Sequence, residues 1–315
     1  MSTNYTKLQK KESLLTRFLK DFRHNWILYV MLLPVLAYFI IFKYYPMYGV
    51  TLAFKDYKMK LGILGSPWVG LEHFQRFFEL YNFKNLIKNT LTLSVYTLLV
   101  GFPIPIFFAL FLHYLTNMRL KKAVQMVSYA PHFISTVVLC GMVTLFLEPN
   151  TGIFNLILNR LGFESVNFLA KSEWFKHIYV WSGVWQNMGW NAIIYISALA
   201  GVDQEMHEAA IIDGASKLQR IRYIDLPSIT PTIAMLLILR FGTLMDVGFE
   251  KVLLLQNDLN ALASSIISTY EYQVGMIQRD YGYSTAVSLF NSLINIILLV
   301  SANTVVKKIT KESLF

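Results

Sequence analysis

The 315-residue chain has one cysteine, Cys140, and few charges, with Asp, Glu, Lys and Arg making up 15% of it. A lone thiol excludes an intramolecular disulfide and a thiolate metal cluster, and leaves Cys140 the part of a small apolar filler. A soluble domain carries about 25% charged residues, so a water-facing surface of ordinary size is not accounted for. Motifs for chemistry are also missing. The chain has no G-x-x-x-x-G-K-[ST] phosphate loop, no H-E-x-x-H zinc motif and no G-x-S-x-G nucleophile elbow. Its six histidines are scattered, with His113 and His132 near the ends of apolar runs, where interfacial hydrogen bonds are expected. Neither an intramembrane protease nor a transferase is supported, no catalytic residue is expected, and no metal or cofactor is expected on this chain. Fixed-period repeats and low-complexity tracts are absent as well.

Apolar residues, by contrast, make up 55% of the chain, and they are gathered into runs. No charge occurs from Trp26 to Phe42, Asn89 to Met118, Ala123 to Leu147, His177 to Val202 or Tyr281 to Val306. Most reach or exceed the roughly 20 residues that span about 30 Å of hydrocarbon as helix. A sixth run, Ile229 to Val247, is interrupted by Arg240 and Asp246. One apolar run fits a buried core helix, but a soluble core does not hold five. The first run follows a basic segment, as a signal peptide does. Tyr44, Tyr45 and Pro46 stand where small residues would mark cleavage, so it is read as an uncleaved span.

The pattern predicts an all-α membrane protein with six transmembrane helices, at about 25–44, 89–114, 124–147, 177–201, 229–249 and 284–306. Segment 1–24 precedes this 25–306 membrane domain, and a tail, 307–315, follows it. Basic residues cluster before span one (Lys7, Lys10, Lys11, Arg17, Lys20, Arg23), between spans two and three (Arg119, Lys121, Lys122), between four and five (Lys217, Arg220, Arg222) and after six (Lys307, Lys308, Lys311). All four groups fall on one side, so the positive-inside rule places both termini in the cytoplasm. The opposite loop between spans one and two is also basic, but long loops count little. The net charge of +9 is read as this membrane anchoring rather than as nucleic-acid binding. A turn-rich first outer loop with a short helix over Leu71–Leu80, and a further outer helix near Ser264–Met276, are expected. Pro34, Pro103, Pro105 and Pro131 predict kinks.

Polar residues inside the spans need an account, because hydrocarbon disfavours them. Trp185, Asn187, Trp190 and Asn191 lie in span four, Asp246, Phe249 and Glu250 at the end of span five, and Asn291 in span six. Hydrogen bonds between helices, worth about 1 kcal/mol each, explain them. A polar pathway with aromatic walls suited to sugar rings explains them too. Both readings stand at this stage.

The segment between spans four and five, 203–227, is unlike the rest. Glu205–Asp213 favours a helix with early acids, Gly214 is placed to close it in a left-handed conformation, Lys217–Tyr223 can form a second helix, and Pro227 is expected to break the chain before span five. Glu208 beside the small Ala209 and Ala210 suits close approach by a partner. Glu208-Ala209-Ala210, Gly214, Ile224 and Leu226-Pro227 meet the pattern E-A-A-x3-G-x9-I-x-L-P at every position. The segment therefore resembles the "EAA" loop of permease subunits of binding-protein-dependent ABC importers. Asp213-Gly214-Ala215-Ser216 follows its form in maltose-type sugar permeases. Tyr45–Gly49, Phe54–Tyr57, Trp68–Glu72, Asn89-Thr90, Tyr129–Pro131 and Tyr281-Gly282 are similar to permeases for complex oligosaccharides.

The resemblance implies a type I ABC importer permease fold with a cytoplasmic coupling helix that docks on an ATPase, and alternating access driven from there. It implies as partners a second homologous permease, two ATPase subunits that hold ATP and Mg, and an extracellular lipid-anchored solute-binding protein, in a bacterial plasma membrane. Its substrate would be an oligosaccharide. An importer for a non-sugar solute is the alternative. An ion-coupled secondary transporter is less favoured, because only Asp246 is a carboxylate well inside a span and no inverted repeat is evident.

Overall fold

The computed structural model describes residues 20–310. Lys7, Lys10, Lys11, Arg17 and Lys311, with the ends of the chain around them, lie outside the described residues. The chain divides into two units, Met1–Thr51 and Leu52–Phe315. In the first, helix α1 (Trp26–Phe39) runs on through a π-helical turn, Ile40–Tyr44, and a last turn, Tyr45–Met47. Pro34 sits inside it without ending it, and none of its residues is buried. An apolar helix with no buried face needs lipid or another chain around it.

The second unit is helical, and one isolated antiparallel bridge, Lys55 to Trp68, is its extended pairing among the described residues. Helix α2 (Glu72–Phe78) lies in the expected surface position. Helices α3 (Phe83–Gly101) and α4 (Pro103–His113) form one span kinked at Phe102. Pro103 begins α4 at a position where its missing N–H costs least. Among the described residues, four helical stretches are long and apolar enough to cross a membrane: Trp26–Phe54, Phe83–His113, Lys217–Phe241 and Tyr281–Ile309. A fifth arises if Met118–Phe133 and Thr136–Phe146 are taken together.

That pair covers the expected third span, 124–147, and the kink expected at Pro131 is a sharp bend. Helices α5 (Met118–Tyr129) and α6 (Thr136–Phe146) meet at 103°. Pro131 cannot donate a backbone hydrogen bond, Ile134 is extended, and Ser135 restarts the helix by accepting from the Val138 N–H at 3.4 Å. Helix α7 (Ser172–Ala200), 29 residues long, packs across the bend. Its Gln186 amide donates to the Ile134 carbonyl at 2.8 Å and so satisfies a group that the break exposes.

Helices α7 and α5 approach tightly at Gly189, where an added Cβ would stand 2.4 Å from the Ser128 carbonyl oxygen. Gly189→Ala is therefore expected to lower stability by about 1–3 kcal/mol, as overpacking does. Thermal unfolding of the detergent-purified chain measures it, with Gly141→Ala as the control, since a Cβ at Gly141 meets nothing within 4 Å.

Two expectations are corrected. Pro227 does not break the chain before span five. The short helix Lys217–Arg220 continues through a π-helical turn, Ile221–Asp225, into α9 (Leu226–Phe241). The wider turn absorbs the donor that proline lacks. The fifth span also ends at Phe241 rather than 249. Residues 242–245 form a turn and 246–248 are irregular before α10 (Phe249–Leu255). The final helix α12 (Tyr281–Thr310) holds this connection, as Asn295 Oδ1 accepts from the Met245 N–H at 2.9 Å. The outer helix expected near 264–276 is α11 (Ile267–Tyr272) with a π-helical turn, Gln273–Ile277. Arg76 of α2 pairs with Asp280 at 2.7 Å and lies over the Tyr283 ring, which fastens this region to the start of α12.

Candidate functional site

The segment after α7 forms helix α8 (Gln204–Ile212). Asp203 caps it by accepting from the Glu205 N–H at 2.9 Å. At the other end the Ala215 N–H donates to the Ala210 carbonyl at 2.8 Å and the Gly214 N–H to that of Ile211 at 3.0 Å. Gly214 has φ +79°, the left-handed residue that this double closure requires. Ser216 and Gln219 then form a reciprocal capping box for the next helix. Asp213, Gly214, Ala215 and Ser216 thus fix the angle between two short helices, while Leu226 and Pro227 open α9.

Only His207 of α8 is buried. Glu208, Ala209, Ile211 and Ile212 are exposed, Ile212 to 86%. Leu218 and Tyr223 extend the apolar surface. Exposed apolar side chains share this segment with the exposed carboxylates of Glu205, Glu208 and Asp213.

Beneath α8 lies a buried polar cluster. Asp225, at 0% exposure, accepts from the Tyr114 hydroxyl at 2.6 Å through Oδ2. Its Oδ1 is 3.1 Å from His207 Nε2 and 4.0 Å from His113 Nε2. Sequence reading missed this group, because its members are up to 112 positions apart (113 to 225) and none sits in a motif. His113 had been expected only to make an interfacial hydrogen bond.

A second feature is a cavity of about 460 Å³ beside the α3–α4 kink. Its wall includes Gln186, Asn187 and Asn191 of α7, Arg240 of α9 and Lys251 of α10. Lys251 is buried, and its Nζ donates to the Tyr179 carbonyl at 2.8 Å.

The expected pathway residues do not all meet there. Asn187 and Asn191 line the cavity. Trp185 lies instead in a separate apolar hollow of about 710 Å³ with Trp174 and Trp181. Trp190 is stacked on His132, ring centroids 4.3 Å apart, and His132 Nδ1 is 2.9 Å from Asn187 Oδ1. Phe249 packs on Tyr272, and Glu250 is exposed. Asp246 accepts from Asn291 and Asn295 of α12, both at 3.0 Å. Asn291 and Asp246 therefore brace the connection after α9. Arg240, one of the charges that interrupt the sixth apolar run, also reaches the cavity, as does Lys251, which no expectation covers.

Asp246→Ala is expected to lower stability by about 1–3 kcal/mol, since it strips two largely buried amides of their acceptor. Asp246→Asn, which keeps one acceptor oxygen, should lose less. Thermal unfolding of the purified variants distinguishes them.

The comparisons with known proteins fall on this architecture. Residues 101–311 match the family described as "Binding-protein-dependent transport system inner membrane component", and the chain belongs to that family. It is 43% identical to Protein LplB of Bacillus subtilis (strain 168) over 93% of this chain and 92% of that protein. It is 40% identical to the polygalacturonan/rhamnogalacturonan transport system permease protein YteP of the same organism, over 98% and 95%. A chain of the bacterial alginate ABC transporter, crystallised in complex with an alginate pentasaccharide-bound periplasmic protein, matches with TM-score 0.87 and 40% identity, over 95% of this chain and 100% of that one.

Proposed function

We propose that this chain is one membrane-spanning half of an ATP-driven importer for oligosaccharides, and that its substrates are acidic. The four apolar helices, the bent α5–α6 pair and α7 supply six crossings. The basic groups at 119–122 and 217–222 share one side, which the positive-inside rule makes cytoplasmic, together with both termini. Helix α8 then faces the cytoplasm.

The observation that carries the reading is the exposed face of α8. The helix is closed at Gly214 and anchored through one buried residue, His207. A rigid lever that presents Glu208, Ala209 and Ile212 outward suits a cleft on an ATPase partner. Its displacement would be passed to α9 through the π-helical turn at 221–225. ATP and Mg belong to that partner, and this chain would hold neither. A second permease would complete the translocation path, and an extracellular lipid-anchored binding protein would deliver the sugar.

Acidic substrates are supported by the two cations on the cavity wall, Arg240 and Lys251, among amides suited to hydroxyl groups. The relatives that transport polygalacturonan and alginate carry anionic sugars, in keeping with that lining.

Reconstitution with the partner permease, ATPases and loaded binding protein tests the proposal. Oligogalacturonide or alginate oligosaccharide should stimulate ATP hydrolysis, and Glu208→Lys should reduce that stimulation several-fold. A coupled ATPase indifferent to the Glu208→Lys charge reversal would remove this carboxylate from the contact. Stimulation by neutral oligosaccharides alone would overturn the acidic specificity.

A further inference from the structure

We infer that His113, His207 and Asp225 form a binding site for a divalent transition metal of the zinc class at the base of helix α8. Three elements converge there. His113 ends α4, His207 is the buried residue of α8, and Asp225 closes the π-helical turn before α9. One ligand atom from each lies within 4.8 Å of the other two.

The distances suit a shared cation better than they suit a hydrogen-bonded triad. His207 Nε2 and Asp225 Oδ1 are 3.1 Å apart, yet both are buried without a hydrogen-bond partner among the described residues. The two atoms are close, but the contact lacks hydrogen-bond geometry and is an ion pair only if His207 is protonated. Ligands about 2.0–2.2 Å from a tetrahedral zinc stand roughly 3.3–3.6 Å from one another. The observed 3.1 and 4.0 Å bracket that value. Leaving two such atoms dry and unpaired is costly, and a cation between them satisfies both at once.

The surroundings fit a ligand set. Imidazole and carboxylate donors suit zinc rather than magnesium or calcium, which prefer oxygen alone. Tyr114 donates to the other carboxylate oxygen at 2.6 Å, and such an outer partner fixes the orientation of a metal-bound carboxylate. Three protein ligands leave a fourth position for water. Arg220, whose guanidinium lies 5.4 Å from the Tyr114 ring centroid, and Lys121 act on His113 electrostatically and weaken the site's pull on a cation. The carboxylate of Asp225 offsets them.

A metal at this point would tie α8 to α4 and α9 together. If α8 is the lever proposed above, the ion stiffens its hinge. That consequence rests on the importer reading, while the site itself rests on geometry alone.

The test uses the full chain in its assembled complex, tag removed, equilibrated with Zn2+ or Co2+ alone under buffered free-metal concentrations. One zinc per chain is expected, with the visible ligand-field absorption of four-coordinate Co2+ and its displacement by Zn2+. His207→Gln and Asp225→Asn should each weaken binding more than about tenfold, and Tyr114→Phe by about tenfold. Hydrogen exchange across 204–212 should slow when zinc is added to the wild type.

Cobalt absorption that persists unchanged in His207→Gln overturns the assignment. If the variants fail to assemble, the wild type decides alone, since no zinc retained at micromolar free metal overturns it equally. Saccharide-stimulated ATPase measured on the same sample tells failure of this site from failure of the importer reading.

Discussion

Replacing Gly214 with valine is expected to reduce uptake to less than about a tenth of the wild-type rate, with normal amounts of protein in the membrane. Gly214 has φ +79°, and nothing lies within 4 Å of the place a Cβ would take. The damage is therefore conformational. A β-branched residue in the left-handed region costs about 1–2 kcal/mol. The backbone recovers that by abandoning the double closure on Ala210 and Ile211. Helix α8 then loses its fixed end, and the angle to Lys217–Arg220 changes with it. The membrane helices do not depend on this turn, so insertion should survive. Gly214→Asn separates two causes. Asparagine adopts the left-handed conformation far more readily than valine, so retained uptake would assign the loss to backbone geometry. Loss as severe as with valine would assign it to the bulk of any side chain against the ATPase. Full uptake by Gly214→Val at normal protein levels would reject a coupling role for the loop.

The segment around Gly214 was also the most legible part of the chain, and for a physical reason. Its structure is set by neighbours in sequence: an Asp cap, a left-handed glycine and a Ser/Gln box all act within six residues. The long apolar runs were legible because hydrocarbon thickness imposes a length. What failed to read out depends on distant partners. The 103° bend after Pro131 is stable because Gln186, on another helix, meets the freed carbonyl. Proline signals a break but not its angle. The early end of span five depends on Asn291 and Asn295, roughly 50 positions on, reaching Asp246 and Met245. Polarity marked Asp246 and Asn291 correctly as unusual and could not say whether they faced a solute or each other. Nearness in sequence likewise puts Trp185 and Asn187 in one aromatic and polar group, although they line different hollows beside α7. Lys251 was passed over because it stands beyond the apolar run, yet α10 folds it back against Tyr179.

Arg240→Gln is expected to lower uptake of an acidic oligosaccharide by about tenfold and to leave a neutral one of the same length nearly unchanged. Arg240 is exposed on the wall of the 460 Å³ cavity, one residue before the end of α9. A hydrogen bond to a charged group contributes about 1.5–3 kcal/mol, which corresponds to tenfold or more in binding. Glutamine keeps polarity and much of the reach, so the difference reports charge. Lys251 is the weaker partner in this respect. It is 8% exposed, its Nζ is engaged by the Tyr179 carbonyl, and Gly183 leaves only enough room for it, since a Cβ there would come within 3.2 Å of Nζ. Lys251→Gln should therefore disturb folding as well as selectivity, and thermal unfolding must accompany its uptake measurement. Two controls sharpen the result. Raising salt should weaken uptake of the acidic sugar in the wild type more than in Arg240→Gln, because screening acts on the charge that the variant lacks. The double variant should lose close to the sum of the single free-energy losses if the two cations contact separate carboxylates, and less if they share one. Equal loss for acidic and neutral sugars in Arg240→Gln would mean that Arg240 shapes the wall rather than reading charge, and the acidic specificity would then have to lie in the partner permease or in the binding protein.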